Sequence, residues 1–304
     1  MAIEMLEKTV PSCDGEHMLA GRVYLPQGAP KGLFHVVHGM TEHIARYDGF
    51  MRQMAQDGYI CFGYDHLGHG RTAGDDSDLG FIAHKDGWRK LAQDVAGFST
   101  AMRQECGERL PYVLMGHSMG SFVVRVASVT CVHPDALIIM GTGGPNPASG
   151  IGLLVIRAVR AVRGERAFSP LVKKLAFGSF NSHFAGEEAN AWLTKDTAVR
   201  AAYAADKYCT FEFTVSAMQD LVTLNRRANS RRFFHGLDKD MPVLLVSGRD
   251  DPVGDYGRGV TTVYRRLRAA GRNVQMKLYD NCRHEILNDS CREEVIADIR
   301  AFLP

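Results

Sequence analysis

The sequence predicts an α/β protein with a mostly parallel, eight-stranded sheet, helices on both faces and an inserted helical cap. Short buried strand patterns alternate with amphipathic helical patterns over residues 32–140, and parallel strands need such crossover helices. Over about residues 144–240 only helical patterns occur, and strands return afterwards. We therefore predict a core domain of residues 1–143 and 241–304, interrupted by a helical cap of residues 144–240.

The core strands are predicted from short apolar runs bounded by turn residues, and Asp14-Gly15 marks a hairpin. The hairpin spans Val10 to Leu25, and the other strands are Gly32–His38, Tyr59–Tyr64, Val113–Gly116, Ala136–Met140, Met241–Ser247 and Val274–Tyr279. Helical spacing predicts the core helices Tyr47–Asp57, Asp86–Glu108, the segment after Ser118, Tyr256–Ala270 and Arg292–Phe302. The cap helices are predicted at Ile151–Val162, Pro170–Phe180, Glu188–Leu193 and Phe213–Arg227.

Composition narrows the classes of function. The chain has 304 residues, 45% of them apolar, which is enough to bury a sizeable core. A formal net charge of +2 is too small to favour nucleic acid as a partner. The seven cysteines lack any Cys-x-x-Cys spacing, so we expect reduced thiols with neither a zinc site nor a disulfide framework.

The sequence favours a cytoplasmic protein. Its first residues include acidic side chains and no long apolar stretch, unlike a secretory signal. No uncharged apolar run reaches the length of about 18 residues expected of a membrane-spanning helix. Reduced cysteines agree with this location, and association with a membrane surface without insertion is the alternative.

A Gly-x-Ser-x-Gly pentapeptide, Gly116 to Gly120, lies between a strand pattern and a helix pattern. This arrangement is typical of the nucleophile elbow of hydrolases with an α/β fold. The turn forces Ser118 into a strained backbone conformation, and the two glycines let neighbouring backbone approach closely. The hydroxyl is thereby exposed beside the positive end of a helix, so Ser118 is the predicted nucleophile.

A serine nucleophile needs a histidine base and an acid that orients it, and in this fold the chain order is serine, acid, histidine. His284 follows the last strand pattern by a short loop, at the sheet edge where open α/β sheets place their sites. The acid follows the preceding strand and is either Asp250 or Asp251. We favour Asp251, the third residue after Gly248, and interpret Asp250 as a turn-capping residue.

Acyl transfer also needs donors for the oxyanion of its tetrahedral intermediate. The N–H of Met119, directly after the nucleophile, is one predicted donor, and the N–H of Met40, in the loop after the first central strand, is the second. Gly39, His117 and Met140 are predicted to contact the substrate.

Other polar residues receive structural interpretations. Glu42 and His43 are expected to hold the loop of Met40 by hydrogen bonds, and His66 and His69 lack the surrounding ligands of a metal site. No Gly-x-x-x-x-Gly-Lys motif supports nucleotide binding. We therefore expect neither a metal nor a cofactor.

Four motifs resemble, in the same order, those of monoacylglycerol lipases and bacterial lysophospholipase-like hydrolases, which belong to the serine aminopeptidase S33 type of the α/β-hydrolase superfamily. They are His38-Gly-Met-Thr-Glu-His-Ile-Ala-Arg-Tyr47, Tyr64-Asp-His-Leu-Gly-His-Gly70, Gly116-His-Ser-Met-Gly120 and Gly248-Arg-Asp-Asp-Pro-Val253. The resemblance covers about residues 15–300 and implies an α/β-hydrolase fold with a helical lid over an apolar tunnel. It also implies a Ser118–Asp251–His284 triad and the two oxyanion donors named above.

The predicted function is hydrolysis of carboxylic esters of single acyl chains, such as monoacylglycerols or lysophospholipids, through an acyl-enzyme. An aminopeptidase or amidase with the same triad is one alternative, and a hydrolase fold retained for ligand binding is another. Basic residues alternate with apolar ones over residues 156–174 of the cap. This pattern is typical of a solvated helix face or of transient contact with an anionic membrane. The sequence leaves the oligomeric state open.

Overall fold

The centre of the fold is one eight-stranded sheet, described by a computed structural model that covers residues 3–184, 186–188 and 190–304. The strands are β1 (Glu4–Pro11), β2 (Met18–Leu25), β3 (Gly32–Val37), β4 (Tyr59–Tyr64), β5 (Tyr112–His117), β6 (Ala136–Met140), β7 (Val243–Gly248) and β8 (Val274–Tyr279). Their order across the sheet is β1-β2-β4-β3-β5-β6-β7-β8. Strand β2 pairs antiparallel with β1 and β4, and the other neighbours are parallel. The predicted mostly parallel, eight-stranded sheet is confirmed.

Helices cover both faces of the sheet, as predicted. They are α1 (Asp48–Gln56), α2 (Gly87–Cys106), α3 (Met119–Ala127), α4 (Ser149–Arg163), α5 (Pro170–Phe177), α6 (Thr197–Ala205), α7 (Val215–Ala228), α8 (Arg231–Gly236), α9 (Arg258–Ala269) and α10 (Arg292–Phe302). Helices α2, α3 and α9 pack in one core cluster, and α1 and α10 pack in the other. We call residues 144–240, which contain α4 to α8, the inserted segment.

The two core clusters follow from the alternation of side chains along each strand. In β6, Leu137 and Ile139 pack in the first cluster, whereas Ile138 and Met140 pack in the second. A strand that is buried on both faces must be apolar at every position. This explains why the sequence shows continuous apolar runs at the central strands.

Several elements differ from the sequence prediction. Strand β1 begins before Val10, where the hairpin was predicted to start. The helix predicted at Glu188–Leu193 is wrong, because residues 190–193 form turns, and residue 189 lies outside the described residues. Helices α6 and α8 are additional to the prediction. Both are short, and α6 depends on Asp196, whose carboxylate caps the N–H groups of its first turn.

The expectation of reduced cysteines is wrong at one pair. Cys282 and Cys291 form a disulfide, with Cα atoms 6.5 Å apart, within the usual range for such bonds. The bridge closes the loop that carries His284. No spacing motif marks this pair, because the loop must fold back before the two sulfurs can meet. The remaining free cysteines are Cys13, Cys61, Cys106, Cys131 and Cys209.

The inserted segment contacts core helices mainly through α7. Helix α7 contacts α2 and α3, α4 contacts α7, and α5 contacts α4. Residues of this segment and of the loops after β3, β5 and β6 line one cavity. Within the described ranges, no helix combines the length and the apolar character needed to cross a membrane. The cytoplasmic location stays a prediction.

Candidate active site

The turn between β5 and α3 holds Ser118 in a strained conformation, with a φ of 53° and a ψ of −120°. A Cβ atom on Gly116 would lie 2.4 Å from the carbonyl oxygen of Gly120, and one on Gly120 would lie 2.2 Å from that of Val37. Only glycine fits at these two positions. The tight turn expected from the pentapeptide is therefore present, and it places Ser118 at the C-terminal edge of the sheet.

His284 and Asp251 form a hydrogen-bonded pair, with His284 Nδ1 3.0 Å from Asp251 Oδ2. Asp251 is fully buried and also accepts hydrogen bonds from the N–H of Val253 and the hydroxyl of Ser247. The side chain of Asp250 is 41% exposed. Of the two aspartates that the sequence leaves open, Asp251 is the one that contacts the imidazole.

Ser118 and His284 line a cavity of about 930 Å³ between the sheet edge and the inserted segment. Met40 and Met119 line the same cavity. Helix α3 begins at Met119, so its N–H belongs to the first turn, where N–H groups have no acceptor within the helix. The inserted segment contributes apolar lining residues, among them Val172, Phe177, Leu193, Phe211, Phe213 and Met218.

The three predicted substrate contacts occupy different places. His117 lines the cavity. A Cβ atom on Gly39 would lie 2.9 Å from the Cβ of Ser118, so Gly39 lets the loop after β3 approach the nucleophile closely. The Met140 side chain packs in the second core cluster, and its carbonyl oxygen accepts the N–H of Ser118 at 3.0 Å. Side chains alternate between the two faces of β6, and the side chain of Met140 points into the core. Met140 therefore contacts the nucleophile elbow through its carbonyl oxygen.

Known proteins resemble this chain over most of its length. Residues 28–291 match the hydrolase family described as serine aminopeptidase, S33. This chain belongs to the S33 family.

Individual relatives agree with the family. The S33 chain is 26% identical over 310 residues to a monoacylglycerol lipase of Mycolicibacterium smegmatis, covering 97% of this chain and 98% of the relative. It resembles a thermostable carboxyl esterase from Bacillus coagulans in complex with glycerol, with a TM-score of 0.91, 27% identity and coverage of 99% and 98%. A lipase in an open form gives a TM-score of 0.88, 27% identity and coverage of 98% of each chain. The predicted α/β-hydrolase fold is confirmed, and the similarities support ester hydrolysis.

A buried network of this S33 hydrolase holds the loop that carries Met40. Glu42 accepts the N–H of Gly39 at 2.5 Å and the hydroxyl of Tyr47 at 2.9 Å. It also lies 3.1 Å from His117 Nδ1. The expectation that Glu42 holds this loop by hydrogen bonds is confirmed, and the network continues into the nucleophile elbow through His117.

The same network extends to the loop that carries His284, and no sequence pattern predicted this connection. Arg46 donates two hydrogen bonds of 2.7 Å to Glu285, and a third of 3.1 Å to Glu42. His117 Nε2 lies 3.3 Å from the carbonyl oxygen of His284. Arg46 and Glu285 are 239 positions apart, so no local pattern connects them.

Charges within this network shift the pKa values of His117 and Glu42. Burial alone would lower the pKa of His117, but the hydrogen bond to Glu42 and the charge of Glu42 raise it above its usual value. Burial alone would raise the pKa of Glu42, but the hydrogen bond and charge of His117 and the charge of Arg46 lower it. Glu42 and His117 therefore favour opposite charges, and His117 directly precedes Ser118 in the chain.

The inserted segment contacts the loop of His284 directly. The ring centroids of Trp192 and His284 are 5.1 Å apart, and the N–H of His284 donates to the carbonyl oxygen of Trp192 at 3.4 Å. The guanidinium of Arg283 binds both carboxylate oxygens of Glu187 at 2.6 and 2.8 Å. The inserted segment thus helps to hold the histidine in place, a role that no sequence pattern indicated.

His66 and His69 are fully buried. The N–H of His66 donates to His38 Nε2 at 3.0 Å, and His69 Nδ1 lies 3.0 Å from the carbonyl oxygen of Leu67. Burial lowers the pKa of His69 to about 4, so the ring is uncharged at neutral pH.

Proposed function

We propose that this chain is a serine hydrolase that cleaves carboxylic esters of single medium or long acyl chains. One observation carries the proposal: Ser118 and His284 line the same cavity, His284 is hydrogen-bonded to Asp251, and many of the other lining side chains are apolar. His284 takes the proton of the Ser118 hydroxyl as its oxygen attacks the ester carbonyl, while the N–H groups of Met40 and Met119 hold the oxyanion. The resulting imidazolium gives this proton to the departing alcohol oxygen, so the ester C–O bond breaks and an acyl-enzyme remains. Water that gives a proton to His284 then attacks the acyl-enzyme, and the acyl group leaves as a carboxylic acid while Ser118 regains its proton.

Cavity size and relatives support a glyceride as the substrate. The volume of about 930 Å³ is near the top of the range of about 300–1,000 Å³ common for ligand sites, so an acyl chain and a head group both fit. The Mycolicibacterium smegmatis relative is named a monoacylglycerol lipase, and the Bacillus coagulans esterase was solved with glycerol. A neutral glycerol head group is therefore our preferred choice.

An aminopeptidase with the same triad is the second candidate, and it needs a carboxylate that is available to bind a substrate ammonium group. Each Asp or Glu that lines the cavity in the described part of the chain already has a cationic partner. The pairs are Glu42 and Glu285 with Arg46, Glu212 with Lys173, and Asp255 with Arg258. This pairing favours an uncharged ester over an amino-terminal peptide.

The test of the nucleophile is Ser118→Ala. This variant is expected to lose turnover of p-nitrophenyl esters and labelling by a fluorophosphonate probe, with an unchanged circular dichroism spectrum, because only the hydroxyl is removed. Ser149 also lines the cavity, so Ser149→Ala is the matched control and should keep turnover within a few-fold. Ester turnover that survives Ser118→Ala would refute the proposal.

The test of the substrate class compares a monoacylglycerol with aminoacyl p-nitroanilides on the wild-type enzyme. We expect a higher kcat/KM on the monoacylglycerol, because the cavity offers apolar walls and paired carboxylates. Preference for the anilides would favour an aminopeptidase. Failure of the wild type to react with the fluorophosphonate probe would favour a ligand-binding protein.

We further propose that the inserted segment contacts an anionic membrane surface when it takes up a lipid substrate. Helix α4 is apolar on two sides, because Leu153 and Ile156 are buried while Ile151, Leu154 and Val162 are 70%, 64% and 86% exposed. Helix α5 adds two exposed leucines, at positions 171 and 175. Exposed basic side chains flank these residues, as suits a helix lying on anionic lipid. They are Arg157, Arg163 and Lys174.

A further inference from the structure

Three potential metal ligands converge where the inserted segment meets the loop that carries Met40. They are His43, Asp206 and Cys209, and one ligand atom of each lies within 4.8 Å of the other two. We propose that these three side chains form a binding site for one zinc-like divalent cation, which clamps the inserted segment to this loop. None of these three residues belongs to the Ser118, Asp251 and His284 group, although Cys209 lines the same cavity as Ser118 and His284.

The three ligand atoms are close enough together for one tetrahedral metal ion to bind all of them after small movements. In such a site the zinc ligands lie about 2.0–2.3 Å from the ion, so neighbouring ligand atoms are roughly 3.3–3.6 Å apart. His43 Nε2 is 2.9 Å from Asp206 Oδ2, and the thiol completes a triangle with sides no longer than 4.8 Å. Movements of about an ångström bring the three atoms to zinc distances.

The backbone prepares this arrangement. Asp206 and Cys209 belong to one turn, in which the N–H of Cys209 donates to the carbonyl oxygen of Asp206 at 3.0 Å. The N–H of Tyr208 donates to Asp206 Oδ1 at 2.8 Å, which leaves Oδ2 directed at His43. Because the turn already faces His43, little of the chain has to be ordered when a cation binds.

Charge around the cluster is compatible with a cation. Arg46 acts electrostatically on Cys209, but its guanidinium is bonded to the carboxylates of Glu42 and Glu285. Asp206 adds a negative charge at the site itself. An imidazole, a carboxylate and a thiol also form a mixed donor set that suits zinc better than magnesium or calcium.

A Cys–His–Asp arrangement can also indicate a cysteine nucleophile, but the structure disfavours this role. Burial raises the pKa of Cys209 to about 12, whereas a nucleophilic cysteine needs a lowered pKa. A metal ion removes the thiol proton by direct coordination, so the same side chain serves as a ligand without being a nucleophile.

Cation binding has a consequence for turnover, and this part of the inference rests on the proposed function. Cys209 and Thr41 line the cavity, and His43 belongs to the loop that supplies the proposed oxyanion donor. A cation that joins this loop to Cys209 fixes the cavity wall and hinders passage of the acyl chain. We therefore expect zinc to inhibit reversibly, with recovery on addition of EDTA.

The binding test is titration of the protein with Co²⁺, followed by absorption. We expect one Co²⁺ per chain with a thiolate-to-cobalt charge-transfer band, which Zn²⁺ then removes. Cys209→Ser should abolish the band and Asp206→Asn should weaken Co²⁺ binding by about tenfold or more, with folding checked by circular dichroism. Cys106→Ser is the matched control and should keep the band. Absence of the band in the wild type, or its persistence in Cys209→Ser, overturns the proposed site.

The inhibition test measures ester turnover against Zn²⁺, with each variant compared to its own metal-free rate. Cys209→Ser is expected to need about tenfold more Zn²⁺ for half inhibition. Equal sensitivity in this variant would place the inhibitory metal elsewhere, for example on His284, and would overturn the inhibitory role. The cobalt band does not depend on turnover, so failure of the proposed hydrolase function would leave that measurement interpretable.

Discussion

Two adjacent aspartates have opposite surroundings in this molecule. The carboxylate of Asp251 is fully buried and receives hydrogen bonds from Val253, Ser247 and His284. The side chain of Asp250 is 41% exposed and lies 3.5 Å from the ammonium of Lys195. A buried carboxylate can stabilise a developing imidazolium strongly, whereas an exposed ion pair contributes little.

This difference predicts unequal effects of two conservative substitutions. Asp251→Asn is expected to lower kcat by about 10⁴-fold with little change in KM, because the amide favours the wrong tautomer of His284. Asp250→Asn is the matched control and should change kcat by less than about threefold. Steady-state kinetics on a p-nitrophenyl ester measure both. Comparable losses in the two variants would show that Asp251 does not orient the histidine.

The sequence predicts some residues of the site well and others poorly, and the reason is physical. Ser118 lies in a local turn whose glycines are required by contacts of 2.2 to 2.4 Å, so its signal is contained in five consecutive residues. Glu285 and Arg46 meet only after the chain has folded, and neither has a local pattern. The prediction that Met140 contacts the substrate is wrong, because residue spacing alone does not reveal the face of a strand to which a side chain points.

At the scale of elements, the buried carboxyl group of Asp220 in α7 packs against the start of α2. Asp220 of α7 is 5% exposed, and a Cβ atom on Gly87 would lie 2.3 Å from its Oδ2. The charged groups that act on it are Arg160 and Asp86, and the N–H of Trp88 donates to it. Burial is the largest effect and raises the pKa of Asp220 to about 7.

The raised pKa of Asp220 predicts a pH-dependent stability. In the unfolded chain this carboxyl has its usual pKa of 3.8, so the folded state binds more protons between about pH 4 and pH 7. The free energy of unfolding therefore falls as the pH rises through this window. Asp220→Asn should remove this component and stabilise the protein at pH 8 by about 2–4 kcal/mol.

Urea unfolding of the wild type and Asp220→Asn at pH 5 and pH 8 measures this effect. The exposed Asp240 provides the control Asp240→Asn, which should leave the pH dependence unchanged. If Asp220→Asn destabilises the protein equally at both pH values, the carboxylate is an acceptor that the fold requires in its charged form.

Elements of the sheet are easier to predict than those of the inserted segment. Strands β3 to β7 are fully buried and marked by apolar runs, because both of their neighbouring layers exclude water. In the inserted segment the helices are partly exposed, and α4 is apolar on its solvent side as well as its buried side. In this segment, apolar residues mark exposed faces as well as buried ones. Their spacing therefore predicts helix positions and boundaries poorly, as at Glu188–Leu193.

At the scale of the whole molecule, the exposed apolar residues of α4 and α5 lie on the inserted segment, which lines part of the cavity. Leu154 and Val162 are 64% and 86% exposed, and neither lines the cavity in the described structure. Exposed apolar side chains of this kind gain free energy when they enter the lipid interface. The surface that we propose for membrane contact is therefore distinct from the residues that we propose for catalysis.

This separation predicts a variant that loses membrane binding while it keeps its chemistry. Leu154→Glu combined with Val162→Glu should weaken sedimentation with phosphatidylglycerol vesicles by about tenfold or more, because two apolar contacts become like-charge repulsion. Hydrolysis of a soluble p-nitrophenyl ester should stay within a few-fold, whereas hydrolysis of monoacylglycerol in vesicles should fall with binding. Leu6, which is 43% exposed on β1, gives the control Leu6→Glu, expected to bind vesicles like the wild type. Unchanged vesicle binding in the double variant would leave this face of the inserted segment as a solvated surface.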